Sequence, residues 1–464
     1  MKRLLTFVAM LLVVVSVSAQ QQAKYIFLFI GDGLGINHIY GTELYNAAIH
    51  PEMENNGRVS FSRFPVRTFV SNHSFSSLVT DSSAAATAIA SGVKTVNGYM
   101  GVDADKRPVK SVTELAAERG MATGVATNVA MNHATPSAFY SHAESRSDYK
   151  EIFDQYVASD IDFAAGATVL CRRKSGITPQ DCVEQAKEAG IKVVQDAREA
   201  AKVRKGRVLL LGKDLRKKTL EYANDMKEGD QSIVDYTAAA IEYFERTAKK
   251  SGFMLMVEAG HLDYCAHDND AVTTFEEVNH LSQSVQLALD FYKKYPEQTL
   301  IIVTADHETG GMCLGYKNYK MNMERLAWQK HSIISLTDKM RQLRLAGKTS
   351  WEDMQSLLRS ELGFWIHVKL RKKDEQTLRK TFDKYFVETA GEVVSLYNHN
   401  EKLASTAVGI LNKRAYIDWI SLDHTGAQVP LYVKGAGVEH FYECYDNTDI
   451  ARAIAKSMGA KLER

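Results

Sequence analysis

Residues 24–33 read Lys-Tyr-Ile-Phe-Leu-Phe-Ile-Gly-Asp-Gly, an apolar run from Lys24 to Ile30 that ends in Gly31-Asp32-Gly33. A short apolar run that ends at glycines predicts a strand buried on both faces and closed by a tight loop. Asp32 is therefore predicted to lie at the carboxyl end of a buried strand. This is the edge of the sheet at which open α/β proteins bind their ligands.

Helical and strand patterns then alternate along the chain. Ser111 and Glu114 have the spacing of a capping box for a helix over Val112 to Arg119, and Met121 to Thr127 has the pattern of the next strand. Two further strands follow helical patterns and end in charged residues; they are residues 252–257, ending at Glu258, and residues 300–304, ending at Asp306 and His307. Strands separated by helices predict an α/β fold with a large, mainly parallel sheet flanked by helices on both faces.

The alternation stops over residues 314–422. Within this segment Thr349 and Glu352 have the spacing of a cap for a further helix, and basic residues cluster at 371–373 with acids among their neighbours. Interspersed acids indicate a solvated helical face rather than a binding patch. We interpret the segment as a helical insertion in a single catalytic domain that spans residues 20–464.

Residues 1–19 have the pattern of a signal peptide. Lys2 and Arg3 precede an apolar run, and the small residues Val17-Ser18-Ala19 precede Gln20. The run is too short to span a bilayer comfortably, and no later segment reaches about 18 apolar residues. The sequence thus predicts export to the periplasm or the medium, with no membrane anchor. The alternative is a buried amphipathic first helix, which a run that is apolar all round disfavours.

Charge and cysteine content limit the classes of protein to which the chain can belong. The chain has 57 basic and 56 acidic residues, so no overall field would recruit nucleic acid or a membrane surface. Among the five cysteines, Cys171 and Cys182 are the pair closest in sequence, and we predict a disulfide between them in an oxidising compartment. Cys265, Cys313 and Cys444 show no Cys-x-x-Cys spacing and are given no chemical role.

Residues 80–88 read Thr-Asp-Ser-Ser-Ala-Ala-Ala-Thr-Ala, a serine followed by small residues that suit the start of a helix. The backbone N–H groups at a helix start bind anions. Ser82 is a candidate nucleophile whose oxyanion a metal would stabilise, because no histidine forms a recognisable local triad with it. For this stretch taken alone, a small-residue helix that serves close packing stays open as the alternative.

Acids and histidines collect where predicted strands end. Residues 258–267 read Glu-Ala-Gly-His-Leu-Asp-Tyr-Cys-Ala-His, in which Asp263 and His267 are spaced for one face of a helical turn. Asp306-His307 and Asp423-His424 supply further carboxylates and imidazoles. Zinc binds such nitrogen and oxygen ligands. A single histidine of this kind is more often structural, but several clusters together favour a metal site.

Residues 132–136, Asn-His-Ala-Thr-Pro, follow another predicted strand, and Arg146 lies shortly downstream. The Thr135 hydroxyl offers a hard oxygen that suits magnesium, and an arginine can clamp phosphate oxygens with two parallel hydrogen bonds. The alternative for Arg146 is a surface ion pair with Glu144 or Asp148.

With these residues assembled, the chain resembles the alkaline phosphatase family from Lys24 to about Val433. Residues 80–87 look like the nucleophile signature of that family, and Gly31-Asp32-Gly33 looks like its first metal-binding turn. The resemblance implies two zinc ions and one magnesium ion. The implied ligands are Asp263, His267 and His424 for the first zinc, Asp32, Asp306 and His307 for the second zinc, and Asp32, Thr135 and Glu258 for magnesium.

Two positions depart from the pattern of some family members. His133 stands where certain bacterial members carry an acid, so the resemblance implies that it bonds a metal-bound water rather than the ion itself. Tyr264 replaces a basic or aromatic neighbour of the zinc ligands. Both departures bear on how firmly magnesium and phosphate are held.

The resemblance implies an exported alkaline phosphatase that hydrolyses small phosphate monoesters through a phosphoserine. Ser82 would attack the ester while Arg146 holds the non-bridging oxygens. It also implies a homodimer, with the insertion near the substrate entrance. Sulfatases and phosphodiesterases are rival readings, but the Cys-x-Pro-x-Arg or Ser-x-Pro-x-Arg motif of a sulfatase is absent from the sequence. A zinc-storage protein would need neither Ser82 nor Arg146.

Overall fold

The computed structural model describes residues 22–53, 55–171, 176–248, 250–317 and 319–462. The predicted signal peptide, residues 1–19, lies outside these ranges. Within them, no helix is both long enough and apolar enough to cross a membrane.

Nine strands form one sheet that runs through the molecule. The strands of the structure are, in chain order, β1 (Tyr25–Gly31), β2 (Val66–Val70), β3 (Ala122–Thr127), β4 (Phe163–Gly166), β5 (Lys192–Val194), β6 (Val208–Leu211), β7 (Phe253–Ala259), β8 (Thr299–Ala305), β9 (Glu308–Thr309), β10 (Cys313–Leu314), β11 (Glu392–Val394), β12 (His399–Glu401), β13 (Ile417–Asp418), β14 (His424–Thr425) and β15 (Val429–Gly435). The order in the large sheet is β2-β15-β8-β1-β7-β3-β4-β6-β5. Strand β15 is antiparallel to β8 and β2, and the other neighbouring pairs are parallel, which confirms the predicted fold class.

Strand β1, formed by the apolar run that opens the sequence argument, lies at the centre of the sheet. It pairs in parallel with β7 on one side and with β8 on the other. Every residue of β7 and β8 is buried, as is β1 from Ile26 onward. Because successive side chains of a strand point to opposite faces, complete burial requires a cover on both faces of the sheet.

Helices supply that cover. The α-helices are α1 (Ile36–Ile49), α2 (Ser82–Ser91), α3 (Val112–Glu118), α4 (Ala134–Ser137), α5 (Tyr149–Ala158), α6 (Pro179–Glu188), α7 (Ala197–Ala201), α8 (Ile233–Thr247), α9 (His261–His267), α10 (Ala271–Lys294), α11 (Ile333–Leu345), α12 (Trp351–Leu362), α13 (Lys372–Thr381), α14 (Lys402–Ala415) and α15 (Asn447–Ser457). Helix α10 packs on β1, β7 and β8, and α8 packs on β3, β4 and β7.

Two predicted helix caps have different outcomes. The Ser111 hydroxyl and the Glu114 carboxylate each accept the other residue's backbone N–H, so the capping box of α3 is confirmed. The predicted cap of α12 at Thr349 is wrong by one residue. Two hydroxyl residues precede this helix, and it is the second, Ser350, whose oxygen accepts the Asp353 N–H at 3.1 Å.

The segment predicted to be an insertion contributes to a second hydrophobic core beside the sheet. Buried side chains of α11, α12 and α14, such as Leu336, Leu358 and Leu411, pack there with Phe275 of α10. Since α10 also covers the sheet, one long helix joins the two cores.

The predicted disulfide is not present. The sulfur atoms of Cys171 and Cys182 lie 3.7 Å apart, and both residues are free thiols. A disulfide would bring the two sulfur atoms to about 2.05 Å. Helix α6 buries Cys182 next to Cys171, so the pair is in contact without a bond.

Candidate active site

The carboxyl ends of β1, β7 and β8 meet at one edge of the sheet. In the parallel register, Gly31 of β1 lies level with Ala259 of β7 and with Ala305 of β8. Asp32 and Asp306 directly follow two of these residues, and both are fully buried. The register of adjacent strands thus brings carboxylates from distant parts of the chain together.

Ser82 is the first residue of α2, and it is buried. The residue before it, Asp81, caps the helix by accepting the Ala84 N–H at 3.0 Å. The Ser82 Oγ lies 3.2 Å from Nε2 of His307. The helix start therefore presents both a serine hydroxyl and the positive end of the helix dipole at the strand ends.

Arg146 reaches the same edge from the loop before α5. Its Nη1 donates to Oδ2 of Asp81 at 3.0 Å, and its Nη2 lies 3.4 Å from Nε2 of His133. Glu144 is one of the two surface partners that the sequence offered for Arg146, and it pairs instead with Lys106. Arg146 thus lies beside the start of α2 rather than in a surface pair with Glu144.

One group of side chains with metal-ligand spacing consists of Asp32, Asp306 and His307. The Nε2 atom of His307 lies 3.3 Å from Oδ1 of Asp32 and 3.4 Å from Oδ2 of Asp306. The other oxygen of Asp306 accepts the N–H groups of Gly33 and His307, at 3.1 and 2.9 Å. These are the residues predicted for the second zinc.

A second group consists of Asp263, His267 and His424. Helix α9 carries the first two on one face, with Nε2 of His267 3.3 Å from Oδ2 of Asp263, and Nε2 of His424 lies 3.7 Å from Oδ1 of Asp263. The other ring nitrogen of each histidine contacts a backbone carbonyl. Nδ1 of His267 contacts the carbonyl of Leu422, and Nδ1 of His424 contacts the carbonyl of Thr80. Such contacts orient an imidazole so that its other nitrogen is free for a metal.

The third group joins Asp32 to His133 and Glu258. One oxygen of Glu258 accepts the Thr127 hydroxyl, and the Thr135 side chain adjoins the same carboxylate. His133 was predicted to bond a water on the ion. The structure sets its imidazole among the candidate ligand atoms themselves.

The predicted ligand residues other than His307 share an uncommon property: each has at least one buried side-chain atom that, within the described ranges, has no hydrogen-bond partner. These atoms are both oxygens of Asp32, Nδ1 of His133, Oγ1 of Thr135, Oε1 of Glu258, Oδ2 of Asp263, Nε2 of His267, Oδ2 of Asp306 and Nε2 of His424. Each buried polar atom left unpaired costs about 1–3 kcal/mol, so native proteins leave few of them. Divalent metal ions bind such oxygen and nitrogen atoms, and the residues therefore fit bound metal ions.

The pKa shifts of these residues also favour bound metal ions. Burial raises the pKa of Asp32 well above its usual range, and the nearby Asp306 and Asp263 add to the rise. Burial together with Asp263 raises the pKa of Asp306 to about 8. Burial lowers the pKa of His307 well below its usual range, and His424 lowers it further. Carboxylates crowded to this degree need cations to stay ionised.

Sequence reasoning assigned no role to two residues that organise the site. Asp81 holds both the start of α2 and Arg146, and its position directly before Ser82 is a cap signal that could have been used. Although burial acts in the opposite direction, Arg146 holds the pKa of Asp81 below its usual range. The Thr309 hydroxyl donates to Asp263 and lies 3.2 Å from Nδ1 of His307, so it contacts two metal-ligand groups.

Comparisons with known proteins agree on one family. A family model described as Alkaline phosphatase matches residues 23–460. Alkaline phosphatase 4 of Bacillus subtilis (strain 168) is 31% identical over 388 residues, which cover 82% of this chain and 76% of that protein. Alkaline phosphatase 3 of the same organism is 30% identical over 453 residues, which cover 95% of this chain and 90% of that protein.

Solved structures show the same fold. A cold-active alkaline phosphatase from Shewanella sp. has a TM-score of 0.78 at 26% identity, covering 94% of this chain and 99% of that one. Thermus thermophilus alkaline phosphatase has a TM-score of 0.73 at 24% identity, and the match covers 95% of this chain and 93% of that one. Together with the family model, these likenesses span nearly all of the described residues. The chain therefore belongs to the alkaline phosphatase family and is a phosphatase of the phosphomonoesterase type.

Proposed function

We propose that the chain hydrolyses small phosphate monoesters to an alcohol and inorganic phosphate through a phosphoserine at Ser82, with two zinc ions and one magnesium ion. The residues proposed to hold them are Asp263, His267 and His424 for the first zinc, Asp32, Asp306 and His307 for the second zinc, and Asp32, Thr135 and Glu258 for magnesium, with His133 beside that ion. When bound, the ions would neutralise phosphate charge and favour ionisation of the serine hydroxyl.

The observation that carries this proposal is the set of buried, unpartnered ligand atoms gathered around one serine. Ser82 Oγ lies against His307, within the group formed by Asp32, Asp306 and His307. A packing helix of small residues, the alternative for this stretch, would have no need of a hydroxyl at that point. The contact therefore supports Ser82 as the nucleophile.

The residues of the chain then have separate tasks. Ser82 attacks phosphorus and the bond to the alcohol oxygen breaks; water later releases phosphate from the serine. Arg146, held by Asp81, clamps the non-bridging oxygens, and the N-terminus of α2 adds favourable dipole charge. Two displacements at phosphorus would retain its configuration.

Two rival functions differ from this one in what they require. A phosphodiesterase would bind a monoanion, which gains less from the half-buried guanidinium of Arg146 than a dianion does. A zinc-storage protein would need the carboxylates and imidazoles but neither Ser82 nor Arg146. The placement of both residues beside the ligand groups favours the monoesterase.

One experiment tests the proposal as a whole. The purified protein is assayed with p-nitrophenyl phosphate and with bis(p-nitrophenyl) phosphate, before and after chelation, and its metals are measured by elemental analysis. We expect about two zinc ions and one magnesium ion per chain, faster monoester turnover, loss of activity with chelator and recovery with zinc. Fewer than one zinc ion per active chain would reject the two-zinc site.

Export and a homodimer are further parts of the proposal. The sequence pattern of residues 1–19 supports export, and amino-terminal sequencing of protein from the periplasm or medium is expected to begin near Gln20. Light scattering at assay concentration is expected to give twice the mass of one chain. A monomer under those conditions would contradict the dimer.

A further inference from the structure

A hairpin of the segment 314–422 reaches the candidate active site. Tyr397 lies in the turn between β11 and β12. Its ring stacks on that of Tyr264 with centroids 3.7 Å apart, and it meets the rings of His133 and His267 edge to face at 6.0 and 5.5 Å. One side chain of the insertion thus contacts members of two metal-ligand groups.

Two asparagines fasten this turn to the helix that carries zinc ligands. The side-chain amides of Asn398 and Asn400 each donate to one carboxylate oxygen of Asp268, both at 2.8 Å. Asp268 directly follows His267 at the end of α9. Side chains on the same turn as Tyr397 are therefore tied to the helix on which its ring packs, so its position is fixed before a ligand binds.

The hydroxyl oxygen of Tyr397 is buried and, in the part of the chain that the structure describes, has no hydrogen-bond partner. A buried tyrosine hydroxyl normally has one. The ring of Tyr397 meets that of His133, and Nε2 of His133 lies 3.4 Å from Nη2 of Arg146. Tyr397 and the side chain assigned to phosphate therefore lie on the same histidine. Although burial opposes the charge of the guanidinium, Tyr397 followed by Asp81 raises the pKa of Arg146, as this placement requires.

We propose that Tyr397 is a substrate-binding residue whose hydroxyl donates a hydrogen bond to a non-bridging oxygen of the phosphoryl group held by Arg146. This rests on the proposed function, since it requires a phosphate ester at the strand ends. A phosphate dianion offers more acceptor positions than one guanidinium fills, so it can satisfy the unpaired hydroxyl. The insertion then supplies part of the recognition of the dianion.

The test uses Tyr397→Phe, which removes the hydroxyl and keeps the ring that stacks on Tyr264. The inhibition constant of inorganic phosphate, kcat and KM for p-nitrophenyl phosphate, and zinc content are measured. Because the lost hydrogen bond is to a charged group, we expect the inhibition constant to rise about tenfold and KM to rise with it, with zinc content unchanged.

Two companion variants separate contact from folding. Leu396→Ala alters the adjacent residue, whose side chain is 61% exposed, and is expected to leave every value at that of the wild type. Asn398→Ala is expected to weaken phosphate inhibition, because it loosens the turn that positions Tyr397.

Two results would overturn the inference. One is a Tyr397→Phe protein whose inhibition by phosphate stays within twofold of wild type. The other is loss of zinc from that variant, which would make Tyr397 part of the metal site instead. A wild-type protein that neither hydrolyses p-nitrophenyl phosphate nor binds inorganic phosphate would overturn the proposed function itself, so the failures are distinguishable.

Discussion

Two buried clusters of charged residues satisfy their charges in different ways. In the insertion, Glu401 is 1% exposed, and its two carboxylate oxygens accept from Arg344 at 2.7 and 2.8 Å. At the strand ends, Asp32, Asp263 and Asp306 are equally buried, yet each keeps at least one oxygen with no hydrogen-bond partner in the described ranges. Burial of charge alone does not mark a functional site. Here the candidate site is distinguished by buried carboxylate oxygens that pair with no arginine or lysine of the described residues.

The difference follows from where each cluster lies. Arg344 and Glu401 belong to elements that pack on each other, α11 and β12, so a pair can form as the segment folds. Asp32 and Asp306 follow β1 and β8, and Asp263 lies in α9, which follows β7; the register of these three strands is fixed by the sheet. The three aspartates cannot separate without breaking that register, and a bound cation relieves their repulsion.

The largest expected effect comes from removing the hydroxyl of Ser82, the proposed nucleophile. Ser82→Ala is expected to lower monoester turnover about 10³-fold or more while zinc content and folding stay nearly intact, because no metal depends on that hydroxyl. Residual hydrolysis by direct attack of water is expected. Ser91→Ala, at the other end of α2, is the matched control and should keep full turnover. A phosphoenzyme label on a peptide that lacks Ser82 would contradict the mechanism.

Removing the arginine that pairs with Glu401 should lower the stability of the protein without changing its metal content. Arg344→Ala is expected to lower the free energy of unfolding by about 3 kcal/mol, because it leaves Glu401 buried without its bidentate partner. Urea unfolding measures the loss, and zinc content should not change. Arg341→Ala, whose side chain is 37% exposed and 3.7 Å from Glu401, should cost less. Zinc loss from Arg344→Ala would show that the two clusters are coupled.

Removing the phosphate clamp should give a smaller, substrate-dependent effect. Arg146→Ala is expected to lower kcat/KM for a monoester about 100-fold and for a diester less, because the monoester presents one more charged oxygen to the guanidinium. Arg146→Lys should recover part of the loss, since it restores the charge without the planar fork. Equal losses for the two substrates would count against the assigned role.

Strands, helices and the clusters of acids and histidines could be predicted from local patterns in the sequence, whereas the grouping of these residues into ligand sets came from the family resemblance. The run 24–30 is apolar because β1 is buried on both faces, and the acids at strand ends stand out because nothing in a core requires them. The family signature then related Ser82 to distant ligands. A one-residue error at Thr349 arose because neighbouring hydroxyls compete for the same cap.

Contacts between distant segments could not be predicted in this way. Nothing in the sequence around Tyr397 indicates that its ring stacks on Tyr264. Tyr397 belongs to the insertion, and the position of the insertion depends on how the whole second core packs. The role of Thr309 likewise depends on strand register. Residues that act through partners far along the chain have no spacing signal of their own.

The smallest expected effect is a pH dependence of the metal-free protein. The pKa of Asp306 is raised to about 8, against 3.8 for an aspartate in water, so between these pH values the folded state keeps a proton that the unfolded state has lost. Its contribution to stability therefore falls as pH rises. His307 and His133 have lowered pKa values, and they act in the opposite direction below about pH 6.5.

The informative window is consequently pH 6.5 to 8, over which the two histidines lose their remaining protons in the unfolded state and their contribution fades. Over that interval the proton that Asp306 keeps should lower the free energy of unfolding by roughly 2 kcal/mol, and Asp32, whose pKa is also raised, should add to the decline, measured by urea unfolding in the presence of chelator. Zinc-loaded protein should lack this decline, because a bound cation keeps the carboxylate ionised in the folded state. If the metal-free protein became more stable across the window, the crowded carboxylates would be paired after all, and the contrast with Glu401 would disappear.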